Sequence, residues 1–311
     1  MAAAELRGSS AGTGRRTHAS RRVAAALGAT VVLVVAIAVV IGTHGGRAGS
    51  APGGGPSGPF VPPVRQEGGV DVVPLTLLDG RRLQLRYPPA LGIAQLGLTL
   101  VTEMTWPVGA TPSQCCTARV SASRATIGGA YGTERPLATF PGAHGHVSLL
   151  SATDRRLPPG FTGPQNLVFQ FSGWLVEVDT SPMAADGVPP PMTGEDLRLW
   201  AADLRASGAP GGYLILDPRP PLALAAHGLI SSRSAIFGLG RPNEPQGNTL
   251  DIEDGYCGQP TSDTSTRTRF QTDDGLAGVA WCDPGSGLHV SAIGSQQFVG
   301  LVASGLTITV P

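Results

Sequence analysis

Lysine is absent from the 311-residue chain, and all 22 basic residues are arginine. Two chemistries that need a lysine amine at a fixed position, Schiff-base catalysis and a Walker-type phosphate loop, are thereby excluded. Aromatic residues make up only 5% and charged residues only 14%, against 44 glycines and 28 prolines. That balance disfavours long charged helices and favours short strands with frequent turns. The four cysteines include no C-x-x-C pair, so the usual zinc-knuckle spacing is missing. Positive charge is missing where nucleic acid would need it. Residues 1–22 hold Arg7, Arg15, Arg16, Arg21 and Arg22 against Glu5 alone, a net +4, so in a neutral chain the remainder carries −4. A weakly acidic folded portion has no clustered cations to displace counterions, and no nucleic-acid partner is expected.

What the chain does have is one long apolar run. Residues 23–42, VAAALGATVVLVVAIAVVIG, carry no charge. Twenty helical residues rise about 30 Å, the hydrocarbon thickness of a bilayer, so a transmembrane helix is expected, with the lipid bilayer as partner. Arginines crowd its N-terminal flank while only Arg47 follows closely. The positive-inside rule then places residues 1–22 in the cytoplasm and the rest of the chain outside it, as a single-pass cell-membrane protein. Two export signals compete with this reading. A signal peptide could be cleaved after Ala48-Gly49-Ser50, although its apolar region is ordinarily about 7–15 residues. Ser20-Arg21-Arg22 resembles a twin-arginine signal, but Ala24 and Ala25 stand where bulky apolar residues are preferred.

Residues 43–69 are dominated by Gly, Pro and Ser with no periodic apolar face, which predicts a disordered linker. Beyond it, short apolar runs alternate with turn residues, the pattern of an α+β, mainly β ectodomain. Leu83 and Leu85 alternate with Gln84 and Arg86 after Asp79-Gly80, predicting a hairpin with residues 75–78. Further strands are expected at 167–171, 174–178, 213–216, 278–281, 288–293 and 306–310. Two short helices are expected. Thr193 caps the first, with Leu197, Trp200, Ala201 and Leu204 on one face; Ser295 opens the second, with Phe298, Leu301 and Val302 as its stripe. The strand, helix and strand that start at Trp174 align with those that start at Leu288. Two similar β-rich units are therefore expected, 70–212 and 213–311, each with one short helix.

Cys115, Cys116, Cys257 and Cys282 all follow the apolar run, on the side where disulfides persist. Adjacent cysteines rarely bond each other, which leaves Cys257 with Cys282 as the best local pair. Enzyme motifs are accidental. Gly8-Ser9-Ser10-Ala11-Gly12 matches a hydrolase string inside the tail, and Gly53, Gly55 and Gly58 match a dinucleotide string inside the linker, neither with a strand or helix to present it. His144 and His146 share a turn-like segment with no third metal ligand, and His227 and His289 sit in apolar stretches. Glu177 and Asp179 fall on one face of a strand, as solvent-facing carboxylates do. Asp251, Glu253, Asp254 and Gly255 fail the calcium-loop spacing, with glycine fifth and Ser262 at the twelfth place. No catalytic residue, metal ligand or cofactor is nominated. The resulting expectation is a non-catalytic binding or assembly module of a bacterial cell envelope, with an envelope protein or wall component as partner. The alternatives are an extracytoplasmic hydrolase with a constellation drawn from distant positions, or a signal transducer acting through a partner.

Overall fold

The computed structural model describes residues 59–106, 116–124, 136–151, 165–180, 192–225, 233–239, 246–254, 257 and 267–311. The expected tail at 1–22, the expected span at 23–42 and the linker up to residue 58 lie outside these residues. Among the described residues no helix is long and apolar enough to cross a membrane.

Strand alternation builds the first sheet. β1 (Arg65–Glu67) pairs with β2 (Val70–Thr76), which pairs with β3 (Arg82–Tyr87). Leu83, Leu85 and Tyr87 alternate inward, and Gly80 takes φ +85°, the left-handed conformation that the turn requires. Asp79 Oδ1 accepts from the Arg81 N–H at 2.9 Å, closing the turn from its side chain. Residues 59–69 differ from the expected linker. Phe60 is buried against Trp174 and Tyr213 at ring separations of 4.9 and 5.0 Å, and β1 is a sheet strand. A single anchoring aromatic among prolines has no periodicity, so a pattern reading passes over it.

The chain continues through β4 (Leu98–Trp106), β5 (Cys116–Ser123), β6 (Ala138–Gly142), β7 (Gly145–Ser151), β8 (Gln165–Phe171) and β9 (Trp174–Asp179). Helix α1 (Gly194–Asp203) follows, opened by a capping box. Thr193 Oγ1 accepts from the Asp196 N–H, and Asp196 Oδ2 accepts from the Thr193 N–H. Its face of Leu197, Trp200 and Ala201 is buried, and Trp200 meets Trp106 edge to face at 5.6 Å. β10 (Ala206–Ala209) and β11 (Tyr213–Leu216) form a two-stranded sheet. Then come β12 (Ala223–Leu224), β13 (Arg233–Leu239), β14 (Gln246–Asp254), β15 (Thr268–Gln271), β16 (Ala277–Cys282) and β17 (His289–Gly294). Helix α2 (Gln296–Gly305) is capped by Ser295 and buries Phe298, Val299, Val302 and Ala303, before β18 (Thr307–Thr309) returns to pair with β3.

The large sheet has twelve strands in the order β15-β16-β17-β14-β13-β4-β5-β9-β8-β7-β6, with β12 also on β4. Reading outward from the central β4 and β13 pair, one side runs β4-β5-β9-β8-β7-β6 and the other β13-β14-β17-β16-β15, one strand shorter. In chain order β9 leads to α1 and then β10, and β17 leads to α2 and then β18. The strand next after α1 is thus Ala206–Ala209, ahead of the Tyr213 strand that the sequence alignment used. One hydrophobic core runs through both halves, so residues 70–212 and 213–311 share a sheet and a core.

Candidate functional site

The expected disulfide is present. Cys257 bonds to Cys282 with Cα atoms 5.7 Å apart. Cys282 ends β16, and Cys257 lies three residues beyond the end of β14, so the bond crosses the line of β17, the strand between them. Cys115 lies outside the described residues, and Cys116 is the first residue of β5, opposite Trp106.

Sheet pleating decides what becomes of the acidic residues. Leu98, Leu100, Met104 and Trp106 of β4 enter the core, so Val101 and Glu103 between them stand on the other face of the sheet. Glu103 is only 5% exposed there. Its direct cross-strand neighbour is Arg119 on β5. On β14 the core takes Leu250 and Ile252, which puts Asp251 and Glu253 on the same outer face as Glu103 and sends Asp254 to the opposite one. The acidic run that resembles an ion loop is in fact an interior strand, and alternation separates its carboxylates. Asp254 pairs with Arg81 at 2.9 Å on the far side. Among the described residues no group of three or more His, Cys, Asp and Glu side chains could hold a metal ion.

Glu103 and Asp251 are the chemically unusual members. Burial pushes the Glu103 carboxyl up to about 7; Arg119 opposes the rise and the Glu253 carboxylate adds to it. Burial likewise raises Asp251 to about 7, again with Glu253 adding and Arg119 opposing. Asp251 Oδ1 is buried with no hydrogen-bond partner among the described residues. His289 on β17 faces Glu253 across the strands, with Nδ1 3.8 Å from the Glu253 Oε2, beyond hydrogen-bond reach. Burial lowers the His289 pKa while Glu253 pulls it back up.

A pH dependence follows, with a defined sign. Acids whose folded pKa is raised favour the folded state below their unfolded pKa, near 4, and lose that advantage as pH climbs through about 7. His289, lowered from 6.5, works the other way and withdraws stability as pH falls through that value. Between pH 6.5 and 8 the carboxylates dominate. Unfolding free energy measured by urea titration is expected to fall over that window, and Glu103→Gln should raise it at pH 8 by on the order of 2 kcal/mol. A Glu103→Gln profile parallel to the wild-type profile would contradict the assignment.

The remaining candidates are dispersed. Glu177 and Asp179 lie half-buried on the outer face of β9, opposite Ser121 and Asn166 respectively. That face is less open than a solvent-facing strand, because Leu175 between the core-facing Trp174 and Val176 is fully buried. His144 is exposed in the turn between β6 and β7, with its ring edge to face on Phe171 at 5.0 Å, and His146 is exposed on β7. His227 lies outside the described residues. Glu103 escaped sequence reading because it sits inside a strand buried on both faces, where a charge interrupts no visible pattern, and Arg119 because its strand is built largely from Ala, Ser and Thr.

Compared with protein-family models, curated proteins and solved structures, the chain has no match.

Proposed function

We propose that the chain is a single-pass cell-membrane protein of a bacterial envelope. Its folded part stands outside the cytoplasm and acts as a non-catalytic module that binds an envelope protein or wall component, or supports assembly of another complex. The observation that carries this reading is the Cys257–Cys282 disulfide. Structural disulfides persist in oxidising compartments and are rare in the cytosol. The uncharged run at 23–42, with arginines crowded before it, supplies the anchor and the orientation. Residues 1–22 are too few for a folded effector domain, which weighs against signalling through the tail alone. Apart from β6, the strand orders on either side of β4 and β13 correspond, which supports two similar units, each with one helix.

Non-reducing peptide mapping, on chain recovered from cells after thiols are blocked before lysis, tests the carrying observation. A linked Cys257 and Cys282 peptide is expected, and both thiols blocked would remove the basis of the proposal. Closing a loop of 25 residues stabilises by about 3 kcal/mol in the chain-entropy model, and a Cys257→Ser/Cys282→Ser variant should lose roughly that much in a urea titration.

A further inference from the structure

A cavity of about 340 Å³ opens beside the small sheet, between β2, β3 and the turn that joins β10 to β11. Pro74, Pro210 and the ring of Tyr213 give it apolar walls. Arg65 and Arg82 are the charged side chains that line it, both positive, and Pro311 brings the carboxylate of the last residue to the same lining. Arg82 is exposed and makes no ion pair among the described residues. Among the described residues Arg65 pairs with Glu67 alone, at 3.9 Å with both side chains well exposed, a pairing that contributes little in water.

The walls are fixed to each other without any ligand. The Gly212 carbonyl accepts from Trp174 Nε1 at 3.1 Å and from Arg124 Nη2 at 3.2 Å, which holds the turn. Gly211 sits at φ +80°, where a Cβ would come within 3.0 Å of the Tyr213 ring, so the turn can lie this close to the ring only as glycine. The Tyr213 hydroxyl donates to the Pro74 carbonyl, which ties two of the lining residues together. A preorganised apolar hollow whose two loosely held guanidinium groups outnumber the one carboxylate, that of Pro311, selects a molecule with an anionic head and an apolar body.

We infer that this groove binds an amphipathic anion, its phosphate or carboxylate head held by Arg65 and Arg82 and its apolar part against Pro74, Pro210 and Tyr213. This rests on the reading of the folded part as a binding module. An acidic lipid and a soluble organic acid or phosphate ester offer the same chemistry. The test titrates the full chain, in nanodiscs of phosphatidylcholine, with hexyl phosphate and with inorganic phosphate by calorimetry. Saturable hexyl phosphate binding is expected, with inorganic phosphate about tenfold weaker because it lacks the apolar body. Arg65→Gln and Arg82→Gln should each weaken hexyl phosphate roughly fivefold at an unchanged melting temperature. Repeating the titration in discs containing phosphatidylglycerol, at ionic strength high enough to screen surface charge, separates the sources: a lipid ligand competes and a soluble one does not. No saturable binding, or undiminished affinity in the Arg65→Gln/Arg82→Gln double variant, would overturn the inference. Neither result touches the anchoring of the chain, which a reporter fusion reads separately.

Discussion

Replacing Trp200 with alanine is expected to lower the unfolding free energy by about 3–5 kcal/mol. The indole is fully buried on α1, beside Leu197 and Ala201 and edge to face with Trp106 of β4. Truncation removes the largest side chain by which this helix is held and leaves a void that a ten-residue helix can close only in part. Loss of the ring pair adds about 1 kcal/mol beyond the area term. Urea titrations of Trp200→Ala and Trp200→Phe separate the contributions, since phenylalanine retains much of the volume. Arg198→Ala, on the exposed face of the same helix, should change stability by less than about 0.5 kcal/mol. A Trp200→Ala loss as small as that control would mean that α1 is not packed as described.

Asp79→Ala should cost a comparable amount, about 3–5 kcal/mol, for a different reason. Asp79 Oδ2 accepts from Arg233 Nη1 at 2.6 Å, and both side chains are about nine-tenths buried. Arg233 also donates to the Ala225 carbonyl, and on the neighbouring strand its direct partner residue is Asp254, which pairs with Arg81. This network ties the turn between β2 and β3 to the ends of β13 and β14, and so the small sheet to the large one. Removing the Asp79 carboxylate takes from a buried guanidinium its anionic partner at 2.6 Å and also opens the turn that its Oδ1 closes. Asp79→Ala/Arg233→Met, which removes both charges, should recover a large part of the loss in a double-mutant cycle. Additive losses would show that the two side chains are not coupled.

How much of this was legible depended on burial. Strands with one face in the core, such as Arg82–Tyr87 and His289–Gly294, alternate cleanly and are bounded by turn residues, so their places followed from the pattern. β4 did not, because it lies mid-sheet with Val101 and Glu103 buried on one face and Leu100 and Met104 on the other, leaving no period to read. β5 is built largely from Ala, Ser and Thr, which advertise no core. β14 was disguised by Asp251, Glu253 and Asp254, whose charges read as a loop until pairing on both sides makes them an interior strand. The disulfide was legible from local spacing and the expected compartment. The outer-face carboxylates were not, since Glu103 and Asp251 lie on strands far apart in sequence and come to one face only when β13 pairs with both β4 and β14. The groove was hidden for the same reason, since its arginines lie on β1 and β3 and its far wall belongs to the turn before β11.

The central claim, a folded domain held outside the cytoplasm by residues 23–42, is tested most directly by fusing after Pro311 a phosphatase reporter that folds only outside the cytoplasm. Activity in intact cells, carried by a membrane-bound chain that retains its original N-terminus, is the result predicted from the uncharged run and the arginines before it. A silent reporter would contradict the orientation, and a soluble chain beginning near Ala51 would replace the anchor with a cleaved signal.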